Sequence, residues 1–362
     1  MQTACKKSQG GKILATYYIG ANDEHGQNPP TAGKRTPVLP YINRSFYENE
    51  FNRPTKNCFI EACLRCGFDV YDVKPEIIDI SISERVRRIN RQNLTLLVTF
   101  GYNAFGNGTS FNSASGILTF YSPLNRFPDS SRALSEEIYV QLIEGTNQVG
   151  RGVSTLTNVG VLQSVNCVST LVEPGFMTNF DEAKLMLDPD FHTEVGEECC
   201  KGVCEYLGAN YVARELQNYP LLRQGSRNNY VEVLQFMLRN LGYNIAVDGI
   251  FGNATRNAVV SFQMNNGLVA DGIVGNNTWR TLLVLPPRPT LRQGNRGNYV
   301  RYLQSKLTTK LYPTGAIDGI FGNATREAVV QFQLENALVP DGIVGARTWE
   351  VISQIGGGRP QP

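Results

Sequence analysis

The nine residues Asp248-Gly249-Ile250-Phe251-Gly252-Asn253-Ala254-Thr255-Arg256 recur unchanged as Asp318-Gly319-Ile320-Phe321-Gly322-Asn323-Ala324-Thr325-Arg326, 70 residues further on. Asp271-Gly272-Ile273-Val274-Gly275 recurs as Asp341-Gly342-Ile343-Val344-Gly345 at the same spacing, and Trp279 recurs as Trp349. The upstream Arg223-Gln224-Gly225 recurs as Arg292-Gln293-Gly294 one residue closer, so one residue was added between the markers. A period of this length marks a structural unit written more than once. Two copies are too few for a solenoid. They predict two small tandem domains, and a doubled module fits avidity for a repetitive ligand.

Each copy reads as three helices joined by turns. In the first, Tyr230, Val231, Val233, Leu234 and Met237 fall near helical spacing. Asp248-Gly249 and Asp271-Gly272 are turn signals, with glycine where the backbone takes positive φ. Between and after them, Thr255 to Met264 and Thr278 to Leu283 read as helices. A domain of about 65 residues is near the lower limit for independent folding, so its apolar positions are mostly core. Trp279 and Trp349 are accordingly expected inside.

The repeats leave a larger N-terminal part of the 362-residue chain. The expected organisation is a polar tail over 1–11, a domain over 12–208, a linker over 209–219, a repeat over 220–285, a short linker over 286–288, a second repeat over 289–355 and a tail over 356–362. The net charge of +2 gives no electrostatic case for nucleic acid. No apolar run is long enough for a membrane span or a signal peptide, which predicts cytoplasmic synthesis without Sec export. Eight cysteines are many for such a protein. Cys63 and Cys66 form a CxxC, and Cys199, Cys200 and Cys204 cluster separately. A zinc knuckle wants a second CxxC with turn residues, so these read as buried free thiols.

In the N-terminal part, strand and helix signals alternate. Strands are expected at 13–19, 68–73, 94–100, 116–121 and 169–172. Helices are expected at 50–66, 83–93, 131–145, 181–187 and 191–207, with Arg85, Arg87, Arg88 and Arg91 facing outward in the second. This alternation predicts an α/β sheet covered by helices on both faces. His25, Glu48, Asn103 and Glu173 gather where strands end or helices begin, which is where ligands bind in open α/β sheets.

The repeats resemble the type-1 peptidoglycan-binding domain through Leu222-Arg223-Gln224-Gly225, the Asp-Gly-Ile-Phe-Gly-Asn-Ala-Thr run, Ala258-Val259-Val260 with Phe262-Gln263, and the Asp-Gly-Ile-Val-Gly run before Thr278-Trp279. That resemblance implies peptidoglycan as partner. The segment 12–208 resembles zinc-dependent N-acetylmuramoyl-L-alanine amidases of the third amidase family. The residues concerned are Glu24-His25-Gly26, Thr31 to Pro37, Glu48 to Asn52, Arg85-Val86, Asn103-Ala104-Phe105, Arg151-Gly152-Val153 and Leu171 to Asn179. The resemblance implies a Zn2+ held at His25 and Glu48, a catalytic carboxylate at Glu173, and substrate contacts at Asn103 and Arg151. It implies cleavage of the amide between N-acetylmuramic acid and L-alanine, at the cell wall after release by lysis, a holin or a particle.

One position departs from that pattern. The family's second zinc histidine falls on Gly101, and the residue before His25 is Glu24 where the family has glycine. A catalytic zinc needs three protein ligands and an open position. Two readings follow: an active cell-wall hydrolase in which Glu24 or Tyr102 completes the site, or a degenerate wall-binding protein, such as a phage-like particle or spore component, one ligand short. On the second reading Gly101→His restores the site.

Overall fold

The computed structural model describes residues 6–9, 12–15, 17–26, 35–39, 43–215, 219–283 and 290–352. Parts of the expected Thr31–Pro37 motif, of the linkers and of both tails lie outside them. The chain divides into two compact units. Ser45–Met186 and His192–Val212 make up most of the first, and the second holds the repeats.

Strands β1 (Lys6–Gln9) and β2 (Lys12–Ala15) form a separate antiparallel pair, so the expected tail carries a strand. The main sheet begins later than the sequence reading had it, at β3 (Tyr18–Asp23). It continues through α1 (Asn49–Arg65), β4 (Asp69–Asp72), α2 (Ile82–Asn90), β5 (Leu96–Phe100), β6 (Ile117–Tyr121), α3 (Pro128–Gly145) and β7 (Gly150–Thr155). Then come α4 (Gly160–Gln163), β8 (Val168–Glu173), α5 (Phe180–Leu185) and α6 (Pro189–Leu207). The six strands lie in the order β4-β3-β5-β8-β6-β7, parallel except for the β6–β8 pair.

The expected α/β sheet is therefore present. β5 is buried along its whole length, as a central strand between two helical layers must be. Phe100 packs its ring 5.3 Å from Phe59 of α1. The opposite face seats Leu97 with Ile89 of α2 and Val161 of α4. The sequence reading missed β7. Its residues Gly-Arg-Gly-Val-Ser-Thr are half-exposed or exposed at the sheet edge, where no apolar alternation is needed.

In the second unit the first repeat is α7 (Asn229–Asn240), α8 (Asn253–Asn265) and α9 (Asn276–Leu282). The second is α10 (Asn298–Thr309), α11 (Asn323–Glu335) and α12 (Ala346–Ile352). Trp279 and Trp349 are buried as expected. Tyr302, Phe321, Phe332 and Val344 surround Trp349 in one core.

Each Asp-Gly turn is tied to the preceding helix by a buried glutamine. Gln235 Nε2 donates to Asp248 Oδ1 at 2.8 Å, Ile250 O at 3.1 Å and Thr255 Oγ1 at 3.0 Å. Its Oε1 accepts the Gly249 amide at 2.9 Å. Gln263 does the same for Asp271, Gly272, Ile273 and Thr278. Gln304 and Gln333 repeat both locks in the second copy. One device thus occurs twice inside each repeat. The glycines take φ of 69° to 77° at all four turns, as the sequence predicts.

Two outcomes follow. Gln235→Ala or Gln304→Ala strands a buried glycine amide and is expected to cost about 1–3 kcal/mol in chemical denaturation. The Ile250 amide bonded to Asp248 holds that carboxyl below its ordinary range, and Gln304 does so for Asp318. A depressed carboxyl stabilises the fold above its unfolded pKa, about 3.9, and loses that contribution as pH falls through the lower folded value. An acid titration followed by circular dichroism should therefore leave the repeats folded at pH 5 and weaken them below about pH 4.

Candidate active site

The site is built where β3 ends and α1 begins. α1 turns its first two turns onto the end of β3. Asn49 Nδ2 donates to Asp23 Oδ2 at 3.1 Å and to the His25 carbonyl at 3.0 Å. Asn52 Nδ2, nearly one turn on, donates to the Glu24 carbonyl and to Glu48 Oε1, both at 3.1 Å. One turn further, Lys56 Nζ reaches Asp23 Oδ1 at 2.8 Å and Asp72 Oδ1 at 2.7 Å. Lys74 pairs with the other oxygen of Asp23 at 3.1 Å, and burial holds its ammonium below the usual lysine range.

Asp23-Glu24-His25 is thereby gripped at every residue. The Glu24 amide also donates to the Phe100 carbonyl at 2.9 Å, which aligns it with the end of β5. His25 takes φ 58°, a left-handed conformation that a non-glycine residue adopts only where its surroundings enforce it.

The carboxylates then converge. His25 Nε2 stands 3.5 Å from Glu48 Oε2. Glu48 Oε1 is held by Asn52 and by the Tyr102 amide at 2.9 Å. Glu48 Oε2 is buried and has no hydrogen-bond partner, which is costly for an acceptor unless a cation faces it. One donor atom from each of Glu24, His25 and Glu48 lies within 4.8 Å of the others.

Gly101 brings no side-chain donor to this cluster, and the third donor within reach is Glu24. A Cβ at position 101 would lie 2.9 Å from Glu24 Oε2 and 3.5 Å from Glu48 Oε1. The Glu24 carboxylate thus fills the room a longer residue at 101 would need. Tyr102 is not the substitute: its ring is buried beside Phe51, and its hydroxyl donates to the Glu182 carbonyl at 3.0 Å.

Glu173 ends β8, one residue past Val172, whose carbonyl accepts the Gly101 amide at 3.0 Å. The loop after it is pinned by Glu182, which accepts the Gly116 amide at 2.8 Å and the Phe176 amide at 2.7 Å. Burial raises the Glu182 carboxyl against those two bonds. Asn103 pairs with Phe176 in an isolated parallel bridge, and its Oδ1 accepts the Ala104 amide at 2.8 Å. Arg151 lies on β7 with its guanidinium 5.3 Å from the Phe176 ring. Both therefore join the Glu173 loop.

Arg85 was expected to face outward, yet it is buried. It binds Asn22 Oδ1 and Asp79 Oδ1, both at 2.7 Å. With Asn22, Glu24, His25 and Asp79 it lines a cavity of about 220 Å³. A helical wheel alone does not separate an exposed arginine from one that bonds the end of a neighbouring strand.

Residues 25–205, half the chain, match the N-acetylmuramoyl-L-alanine amidase family. The chain belongs to that family. Residues 227–282 and 296–352 match a peptidoglycan binding domain. Among relatives, the N-acetylmuramoyl-L-alanine amidase CwlM of Mycobacterium tuberculosis is 34% identical over 134 residues, covering 33% of this chain and 32% of its own. A probable N-acetylmuramoyl-L-alanine amidase of Bacillus licheniformis is 32% identical over 152 residues, 35% of this chain and 43% of its own. The chain thus spans less than half of these relatives' length. The crystal structure of an N-acetylmuramoyl-L-alanine amidase from Clostridium difficile 630 is 25% identical and aligns with a TM-score of 0.46, covering 53% of this chain and 97% of that one.

The grip of α1 on this amidase-family site is testable. Lys56→Met removes the cation shared by the buried Asp23 and the half-buried Asp72 and leaves Asp23 with Lys74 alone. It is expected to destabilise the protein by about 3–5 kcal/mol in urea denaturation.

Proposed function

We propose that the protein is a peptidoglycan-binding amidase that cleaves the bond between N-acetylmuramic acid and L-alanine at the cell wall. The observation that carries this reading is the Glu24–His25–Glu48 cluster at the strand ends of a chain of that family. Its buried Glu48 oxygen without a hydrogen-bond partner and its mixed imidazole–carboxylate donors fit a zinc ion. Glu24, His25 and Glu48 would hold it. Zinc bound there supplies Lewis-acid polarisation of the scissile carbonyl and acidification of a water.

The chain's own residues do the rest. Glu173 takes the proton from the attacking water and delivers it to the departing amine nitrogen of L-alanine. Asn103 and Arg151 contact the substrate beside the Glu173 loop. Asn49 and Asn52 are positioning residues, because their amides fix the Glu24 and His25 backbone. The repeats hold the enzyme on the glycan mesh. Apolar positions that core packing does not use recur in both copies, with Val269 79% and Val339 74% exposed. In the second copy Val339 joins Leu338, Ile343 and Arg347 around a cleft of about 370 Å³. No helix of the described residues is long and apolar enough to cross a membrane.

Three outcomes test this reading. Glu173→Gln is expected to lower wall hydrolysis by roughly 10²–10⁴-fold while zinc content is unchanged. Glu24→Ala is expected to reduce bound zinc, and Gly101→His to reduce it too by displacing Glu24, with metal analysis as the readout. Undiminished zinc in both variants would remove Glu24 from the site. Residues 220–355 are expected to co-sediment with purified peptidoglycan more fully than either repeat alone.

A further inference from the structure

The first unit contains a second group of side chains able to ligate a metal, at the other end of α1. Cys63 and Cys66 stand near the end of α1, and Cys200 and Cys204 lie one turn apart on α6. α6 crosses α1 closely at Gly196, where a Cβ would lie 2.8 Å from the Phe59 amide nitrogen. That approach brings the two pairs together. Cys63 Sγ is 3.7 Å from Cys200 Sγ, and Cys66 Sγ is 3.8 Å from it. Cys66, Cys200 and Cys204 place their sulfurs within 4.8 Å of one another. The other described cysteines are elsewhere: Cys58 faces Thr193, Cys167 lies in the core under α2 and α4, and Cys199 is buried apart.

We propose that Cys63, Cys66, Cys200 and Cys204 form a structural zinc site that ties α1 to α6. A zinc ion with four sulfurs at about 2.3 Å has S···S edges of about 3.8 Å. The two measured separations match those edges and are far from the roughly 2.05 Å of a disulfide. Cys63 joins this group through its contact with Cys200.

The surroundings suit thiolates. The Val212 amide donates to Cys66 Sγ at 3.3 Å, as backbone amides do around metal-bound sulfur. Arg65, next in sequence, holds the Val212 carbonyl at 2.7 Å and is itself anchored by Glu61 and Glu197. The site lies at the end of α1 opposite His25 and Glu48, so its role is to fix the helix whose first turns build the amidase centre.

The test uses the full chain carrying His25→Ala, so that metal at the first site does not contribute. Cobalt titration of the metal-stripped protein should saturate at one equivalent with an intense sulfur-to-cobalt charge-transfer band. Adding Cys200→Ser and Cys204→Ser should abolish it. Because those serines alter the core, a second measurement uses unaltered thiols: an organomercurial added to the zinc-loaded chain should release one zinc as these four cysteines react, identified by mass spectrometry. Absence of the band together with freely reactive thiols overturns the proposal. So does a disulfide between α1 and α6 with no metal, or an iron–sulfur chromophore in place of zinc.

Discussion

Asp23 is the residue on which the first unit turns. It is fully buried at the end of β3, and a buried carboxylate persists only when paired and hydrogen-bonded. Lys56, Lys74 and Asn49 satisfy it together. Two of these partners lie on one face of α1, so satisfying one charge also sets the rotation and position of a helix 17 residues long. Glu48 at its start and Cys63 and Cys66 at its end are placed as a consequence.

The Glu24–His25–Glu48 cluster and the thiol cluster therefore share one helix, α1. α1 presents a hard, oxygen-rich donor set at one end and a soft, sulfur-rich set at the other. The first set lies at the strand ends, whereas the second is packed between α1 and α6. The repeats solve a different problem. They are too small for a large core, and four glutamine locks use buried polar bonds to hold turns that hydrophobic burial alone cannot orient.

Glu24 and Gly101 are neighbours in space, with the Glu24 carboxylate against the position a side chain at 101 would take. Parallel pairing sets Asp23 against Phe100, so positions 24 and 101 follow as neighbours across two strands. A carboxylate from one reaches the space vacated by the other. Read along the chain the two changes look like separate defects, because they are 77 residues apart.

Much of this protein was legible in its residues. The doubled module, its Asp-Gly turns, its buried tryptophans, the α/β alternation and the family motifs around His25, Glu48 and Glu173 are local patterns, and local patterns report backbone preference and burial directly. What the chain order concealed depends on which elements meet. The glutamine locks pair a helix with a later turn. Arg85 turns inward because a neighbouring strand end offers acceptors. Glu24 completes a donor set only once β3 lies beside β5. The cysteines read as two separate groups of buried free thiols because no second CxxC exists; α1 and α6 bring Cys63 and Cys66 within 3.7 and 3.8 Å of Cys200. Sequence determines which groups are available and which side of an element they take, but distances between donors from separate elements arise only when those elements pack.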